Sequence, residues 1–343
     1  MRSDALEKKI ATDPSGLRVL TGDRPTGALH IGHWFGSLRN RVRLQEAGVE
    51  SWIIVADYQV ITDRDVVGDI QGSVRELVTD YLAAGLDPGK STIFTHSAVP
   101  ALNQLLLPFL SLVTLPELER NPTVKAELAA SGKSAMGGLL LTYPVHQAAD
   151  ILFCHGNVVP VGKDQLPHVE QTRLIARRFN ERYAGGETVF AEPDALLSDS
   201  PTIKGLDGTS KMSKSLGNTV MLRMSAEETA KKLKKAKTDA DREITFDPEN
   251  RPEVANLLTI ASQATGRAPE EIAAEIGDKG AGTLKVFTAD ALNEHLAPLR
   301  ARRAEIEKDP GYLFEVIRAG NARANEVADA TLERVRTVMG MVY

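Results

Sequence analysis

The segment 21-TGDRPTGALHIGHWFG-36 decides how this chain is read. It follows the apolar run 17-LRVL-20 and leads into apolar positions of helical period, so a buried strand gives way to a helix inside it. Gly22, Pro25 and Gly27 shape the turn, and Gly32 lets a ligand approach the helix backbone closely. In an open parallel sheet, ligands bind beyond the carboxyl ends of the strands. A helix start there already offers unpaired N–H groups and the positive end of the helix dipole. His30 and His33 add two imidazoles, which makes a phosphate site with several donors. A lone histidine near a helix start is more often a cap or a surface residue. A pair spaced as HIGH gains weight only if a second element answers it.

Outward from this turn, strand and helix signals alternate. A helix is expected over 31–48, with Ile31, Trp34, Phe35, Leu38 and Val42 on one face and Gly48 as its stop. A buried strand is expected over 51–62, a helix over 66–86 and a third strand over 91–97. That β-α-β-α-β order argues for a parallel sheet with helices on both faces. Helix follows over 101–120, interrupted by Pro108 and Pro116, then over 139–154 and 164–183, with a short apolar run at 157–162. From about Ser225 the character is helical. Ser225 and Glu228 fit a capping box opening 226–239, and later helices are expected near 252–266, 269–276, 284–308 and 313–339. The fold class is therefore α/β: a doubly wound, Rossmann-like parallel-sheet domain with a smaller all-helical C-terminal domain. The expected divisions are a polar, frayed N-terminal extension over 1–15, the sheet domain over 16–205, a loop over 206–218 and the helical domain over 219–304. The last helix, about 305–343, is expected to pack back on the sheet domain.

Composition narrows the class. The chain has 343 residues, 42% hydrophobic and 25% charged, as an ordinary globular protein has. No apolar run is long enough to span a bilayer, and the N-terminus has no signal-peptide pattern, so no membrane partner is expected. One cysteine, Cys154, excludes a disulfide framework and a thiolate-rich metal site, and the cytoplasm is the default compartment. No metal site is expected. A net charge of −5 excludes a globally basic nucleic-acid binder; any such contact must be local.

The element that answers the histidines is 204-KGLDGTSKMSKSLGN-218, a lysine-bearing loop of small polar residues without apolar period. Together, 30-HIGH-33 and 211-KMSKS-215 resemble the class I aminoacyl-tRNA synthetases. The stretches 21-TGDRPTG-27, 57-DYQVIT-62, 117-ELER-120, 142-TYPVHQAADIL-152 and 158-VVPVGKDQLPHVEQTR-173 are similar to the tryptophanyl-tRNA synthetase family of bacterial type. The resemblance spans residues 17 to about 220.

It implies ATP-dependent activation of L-tryptophan and transfer to tRNA(Trp), with ATP and Mg²⁺ as a substrate complex and no tightly bound cofactor. The mobile loop then closes over the triphosphate. His30, His33, Lys211 and Lys214 are the implied catalytic residues. Gly22, Arg24, Thr26, Gly32, Lys125, Val161, Gly162, Asp164, Met212 and Ser213 join them around ATP. Tyr143, Gln147, Asp150, Gln165, Gln59 and Arg24 are implied around tryptophan, with Asp150 accepting the indole N–H. Lys125 has a plain alternative as a surface lysine, and Asp164 as an N-cap. Asp150 lies in the apolar 148-AADILF-153, where a carboxylate is costly unless paired. An editing insertion is not expected.

Arg24, Gln59 and Gln147 depart from the commoner bacterial pattern, which has Gln, His and Met there; His146 is a further candidate departure. They make the pocket edge more polar and suggest acceptance of hydroxy- or nitro-tryptophans; the bland reading is that Gln147 satisfies neighbouring backbone. Lys231, Lys232, Lys234, Lys235 and Lys237 form either a solvated face or a tRNA phosphate contact. The resemblance also implies a homodimer, with 101–115 and 151–160 as candidate seams. The alternatives are a tyrosyl-tRNA synthetase, a small nucleotidyltransferase of the HxGH type, and a paralogue that works mainly by binding a protein or RNA partner.

Overall fold

A computed structural model describes residues 3–62, 68–131, 135–198, 201–208, 212–214 and 216–343. Five strands, β1 (Arg18–Asp23), β2 (Glu50–Val55), β3 (Ser91–Thr95), β4 (Val158–Val161) and β5 (Asp194–Leu197), form one sheet in the order β3-β2-β1-β4-β5. Every pairing is parallel, with Arg18 opposite Glu50 and Val19 opposite Val158. Successive strand residues feed opposite cores: Trp52, Ile54 and Phe94 face one, Ile53, Val55 and Ile93 the other. The strand order reverses between β1 and β4, and the crevice there is where such sheets bind ligands.

In chain order the helices begin with α1 (Ser3–Thr12). Then α2 (Ile31–His33), a π turn over Trp34–Leu38 and α3 (Arg39–Glu46) run without leaving helical backbone. Next come α4 (Ile70–Ala84), α5 (Pro100–Gln104), α6 (Leu106–Leu110), α7 (Leu115–Glu119), α8 (Pro122–Ser131), α9 (Gly138–Leu152) and α10 (Leu166–Tyr183). The helical region comprises α11 (Ala226–Lys234), α12 (Pro252–Thr265), α13 (Pro269–Ile276) and α14 (Gly280–Ile306), and α15 (Pro310–Val338) closes the chain. The capping box of Ser225 and Glu228 opens α11. One hydrophobic core joins Leu29, Phe35 and Leu77 to Leu257, Ile272 and Leu292, so sheet domain and helical region share an interior.

The helix α15 returns to β3. Thr95 N donates to Asn321 Oδ1 at 2.8 Å, and Asn325 Nδ2 donates to the Ala98 carbonyl at 2.8 Å. The approach is backbone to backbone: a Cβ on Gly320 would lie 1.8 Å from the Ile93 carbonyl oxygen. Gly320→Ala should therefore push α15 off the sheet edge and destabilise the protein by about 3 kcal/mol, read as a lower urea midpoint. An unchanged midpoint would show that the helix slides freely there.

Several expectations are corrected. Residues 3–12 are not frayed: they form α1, whose Leu6 and Ile10 are buried against Leu17, Val19 and Leu196. Two apolar residues four apart in a polar stretch suffice for one buried stripe. The strand expected over 51–62 stops at Val55, and 57–61 is a 3₁₀ turn; the strand over 91–97 stops at Thr95. At both ends polar side chains replace the ladder, as Asp57 accepts from the Ser97 N–H. The strand β5 carried no apolar run long enough to be seen. The segment Ile151–Cys154 is fully buried core, which removes it as a seam. Burial pushes the Cys154 thiol up to about 12, so it is inert as a nucleophile at neutral pH. Among the described residues no helix is long and apolar enough to cross a membrane.

Candidate active site

At the end of β1 the two histidines cap each other's turn. His30 Nδ1 accepts from Gly32 N at 3.1 Å, and His33 Nδ1 accepts from His30 N at 3.3 Å. Spending both Nδ1 atoms as acceptors leaves the proton on each Nε2. Burial lowers the pKa of His30 to about 3, helped by His33 and Lys214. His33 is lowered by burial and by Lys214 and Arg41, against an opposing pull from Asp23. Both rings are thus neutral donors at pH 7, a different charge state from an imidazolium phosphate clamp. Gly32 is required by this packing, because a Cβ there would lie 2.9 Å from His30 Cε1.

The distant lysine loop reaches the same turn through the backbone that follows it. Ile31 N donates to Val220 O at 3.0 Å and Leu222 N donates to Leu29 O at 2.9 Å. Asn218 closes the loop base, accepting from Ser213 N at 2.8 Å and donating to Asp207. Lys214 Nζ then docks on the carbonyls of Thr26 (3.1 Å) and Gly27 (3.0 Å). Gly27, at φ +97°, makes room for that contact.

A cleft of about 1030 Å³ opens at the switch between β1 and β4. It brings together Gly22, Arg24, His30, Gly32, His33 and Met212 on one side, and Val161, Gly162, Asp164 and Gln165 on the other. Gln59, Tyr143, Gln147 and Asp150 line its inner end. A Cβ on Gly162 would come 2.6 Å from Asp164 Oδ1, so the glycine leaves room for that carboxylate in its present position. Asp164 caps no helix: α10 begins after a 3₁₀ turn without a side-chain cap, and Asp164 Oδ2 instead accepts from Gln165 Nε2 at 3.1 Å. Gln59 has its amide committed to Thr62 and His146, whereas the side-chain amide of Gln147 makes no hydrogen bond among the described residues.

Not every expected residue lies in the cleft. Thr26, Lys125, Ser213 and Lys214 are outside its lining, and Lys125 is exposed on α8. Lys211 falls outside the described residues. In the lysine run, Lys232 Nζ is bound to the Gly217 carbonyl (2.8 Å) and Lys237 to Glu253 (2.9 Å), while Lys231, Lys234 and Lys235 are exposed.

Other residues emerge only in three dimensions. Asp23, at the tip of β1, is held by buried Arg41 and by Tyr81 Oη at 2.6 Å. Burial would raise its carboxyl, but Arg41 overrides this and holds it at about 2. Glu127 pairs with Arg24 at 3.1 Å, and Tyr143 Oη meets His168 Nε2 at 2.9 Å. His96, at the end of β3, lies against Asp150. The strand-end rule that pointed to His30 also covers Asp23 and His96, so their positions were available to sequence reasoning. Glu127 carried no local signal.

Comparison with known proteins gives the family. The family model for class I tRNA synthetases (W and Y) matches residues 13–297. The chain is 44% identical over 333 residues to a tryptophan–tRNA ligase from Treponema pallidum, covering 95% of this chain and 97% of that protein. It is 42% identical over 335 residues to one from Clostridium longisporum, again at 95% and 97% coverage. A solved tryptophanyl-tRNA synthetase from Campylobacter jejuni, complexed with ADP and tryptophan, superposes with a TM-score of 0.80 at 31% identity. That match covers 94% of this chain and 100% of the solved one.

Proposed function

This chain belongs to the class I tRNA synthetases of the tryptophan and tyrosine type, and from that premise we propose how its cleft carries out tryptophan–tRNA ligation. The observation that carries the reading is one cleft with neutral histidine donors at its mouth and a buried carboxylate, Asp150, at its inner end.

In the first step a tryptophan carboxylate oxygen bonds to the α-phosphorus of Mg·ATP. The bond from that phosphorus to the oxygen bridging to the β-phosphate breaks, and its electron pair leaves with pyrophosphate. No protein nucleophile is needed; the residues supply position and charge stabilisation. His30 and His33 donate their Nε2–H bonds to phosphate oxygens. Gly162 and Asp164 take the adenosine side, and Gln165 and Tyr143 take the substrate amino group. Arg24, steadied by Glu127, faces the substrate carboxylate. Asp150 accepts the indole N–H. In the second step a ribose hydroxyl at the tRNA 3′ end attacks the carbonyl carbon, and AMP leaves.

Lys214 reaches the β- and γ-phosphates only after leaving the Thr26 and Gly27 carbonyls. Loop movement is therefore part of the reading, and the family resemblance assigns Lys211 the same phosphate role. The exposed Lys231, Lys234 and Lys235 are the tRNA contacts of choice, as the other two lysines are engaged within the chain. A homodimer seam fits α6 and α7, where Leu107 is 75% and Leu115 is 56% exposed. The unpartnered Gln147 amide at the cleft wall favours ring-hydroxylated tryptophans as additional substrates.

The test is charging of tRNA with labelled tryptophan, tyrosine or 5-hydroxytryptophan in the presence of ATP. Tryptophan is expected to be incorporated and tyrosine not, with 5-hydroxytryptophan competing. Tyrosine incorporation would sink the assignment, and failure of 5-hydroxytryptophan to compete would sink the role given to Gln147.

A further inference from the structure

The sequence marks Asp150 as a carboxylate that is costly to bury, and the structure supplies its partner. His96 Nε2 lies 2.8 Å from Asp150 Oδ1; His96 is 0% and Asp150 5% exposed. The oxygen sits off the line of the ring N–H, so the contact is an ion pair rather than an aligned hydrogen bond. No other side chain among the described residues bonds to the Asp150 carboxylate.

A second ring completes the arrangement. His146 stacks on His96 with centroids 4.1 Å apart. Its Nδ1 meets Gln59 Nε2 at 3.1 Å and its Nε2 meets Asn103 Oδ1 at 2.7 Å. A donor at one nitrogen and an acceptor at the other fix the neutral Nε2–H tautomer. His96, His146 and Asp150 come within 4.8 Å of one another, close enough to suggest a metal ion, but His146 has no nitrogen left to offer one. The cluster is organised around charge.

Burial pulls the His96 pKa down, but Asp150 and then Asp57 outweigh it, and the ring sits above its ordinary value. Burial lowers His146, so the stacked neighbour adds no competing charge. Besides Asp150, the titratable groups facing His96 among the described residues are His146 from α9 and Asp57 and Tyr58 from the turn after β2; Asp57 is held by Ser97, and the Tyr58 ring centroid lies 5.8 Å from that of His96.

We propose that His96 is a positioning residue for amino-acid specificity: by occupying Oδ1 it fixes the orientation of the Asp150 carboxylate and leaves Oδ2 as its acceptor for the ring N–H of the substrate. This rests on the reading of Asp150 as the indole acceptor. Without that contact the carboxylate is free to turn, and no one oxygen is held toward the N–H.

The experiment measures binding of tryptophan and of its 3-benzothienyl analogue, which has sulfur in place of the N–H, to wild type, His96→Leu and His96→Gln. For His96→Leu, tryptophan affinity should fall on the order of tenfold while the analogue changes far less, because only the N–H reading is lost. His96→Gln keeps a donor against Oδ1 and should recover part of the affinity. Equal loss for both ligands, or no recovery in His96→Gln, would overturn the proposal and reduce His96 to packing. Should His96→Leu fail to fold, the ratio of tryptophan to analogue affinity in His96→Gln decides alone, a fall supporting the proposal and an unchanged ratio overturning it, with its thermal melt as the folding control. A wild-type protein that binds no tryptophan overturns the proposed function instead, so the two failures are distinct.

Discussion

Asp150→Ala should lower kcat/KM for tryptophan by roughly 30- to 150-fold and leave the KM for ATP unchanged. The figure corresponds to about 2–3 kcal/mol for a hydrogen bond to a charged, desolvated acceptor. The truncation removes the carboxylate proposed to read the indole N–H, and it strips His96 of its nearest counter-charge. The His96 pKa then falls, because burial is the force that Asp150 had been opposing. Selectivity should relax along with activity: an analogue without the N–H gains relative to tryptophan. Steady-state pyrophosphate exchange with both substrates checks this. An unchanged preference would mean that the indole is read elsewhere.

His30→Asn and His33→Ala should each lower kcat on the order of 10²- to 10³-fold with little effect on the KM for tryptophan, the cost of removing one preorganised donor to developing charge. Asparagine at position 30 keeps an acceptor for Gly32 N, so the helix start survives and only the Nε2 donor is lost. Equal thermal stability of His30→Asn and wild type, with activity lost, separates catalysis from capping. The charge state adds a pH signature. His30 titrates at about 3 and His33 below its ordinary value, so kcat should show no acid limb near pH 6.5 from either ring. Stability carries the opposite sign. Between about pH 6.5 and pH 3 the unfolded chain binds a proton at position 30 that the native state does not. The contribution of these rings is therefore complete above pH 6.5 and drains away as pH falls. An acid limb at pH 6.5 that vanished in His30→Asn would show that the imidazolium is the working form.

The parallel sheet was legible because the first half of the chain writes strand, turn and helix in separable runs, and because 30-HIGH-33 sits at a strand end where ligands gather. The capping box at Ser225 was legible for a similar local reason: its residues touch within one turn. What sequence reading missed is non-local. The α1 stripe of Leu6 and Ile10 means little until β5 and Val19 lie beneath it. The strand β5 is polar at its first residue and only four residues long. Lys214 reads as a phosphate ligand, yet carbonyls of the turn that it crosses hold its ammonium in this state. Asp150 could be marked as needing a partner, but its partner His96 lies 54 positions upstream, on another strand end. Sequence states the debt of a buried charge; only topology says who settles it.

The most direct test of the central claim, that this cleft activates tryptophan, is ATP–pyrophosphate exchange with each of the twenty amino acids separately. The account predicts exchange with tryptophan and none above background with the others, because Asp150 is assigned to an indole N–H at the inner end of the cleft. Exchange driven by tyrosine would contradict it, and so would no exchange with any amino acid.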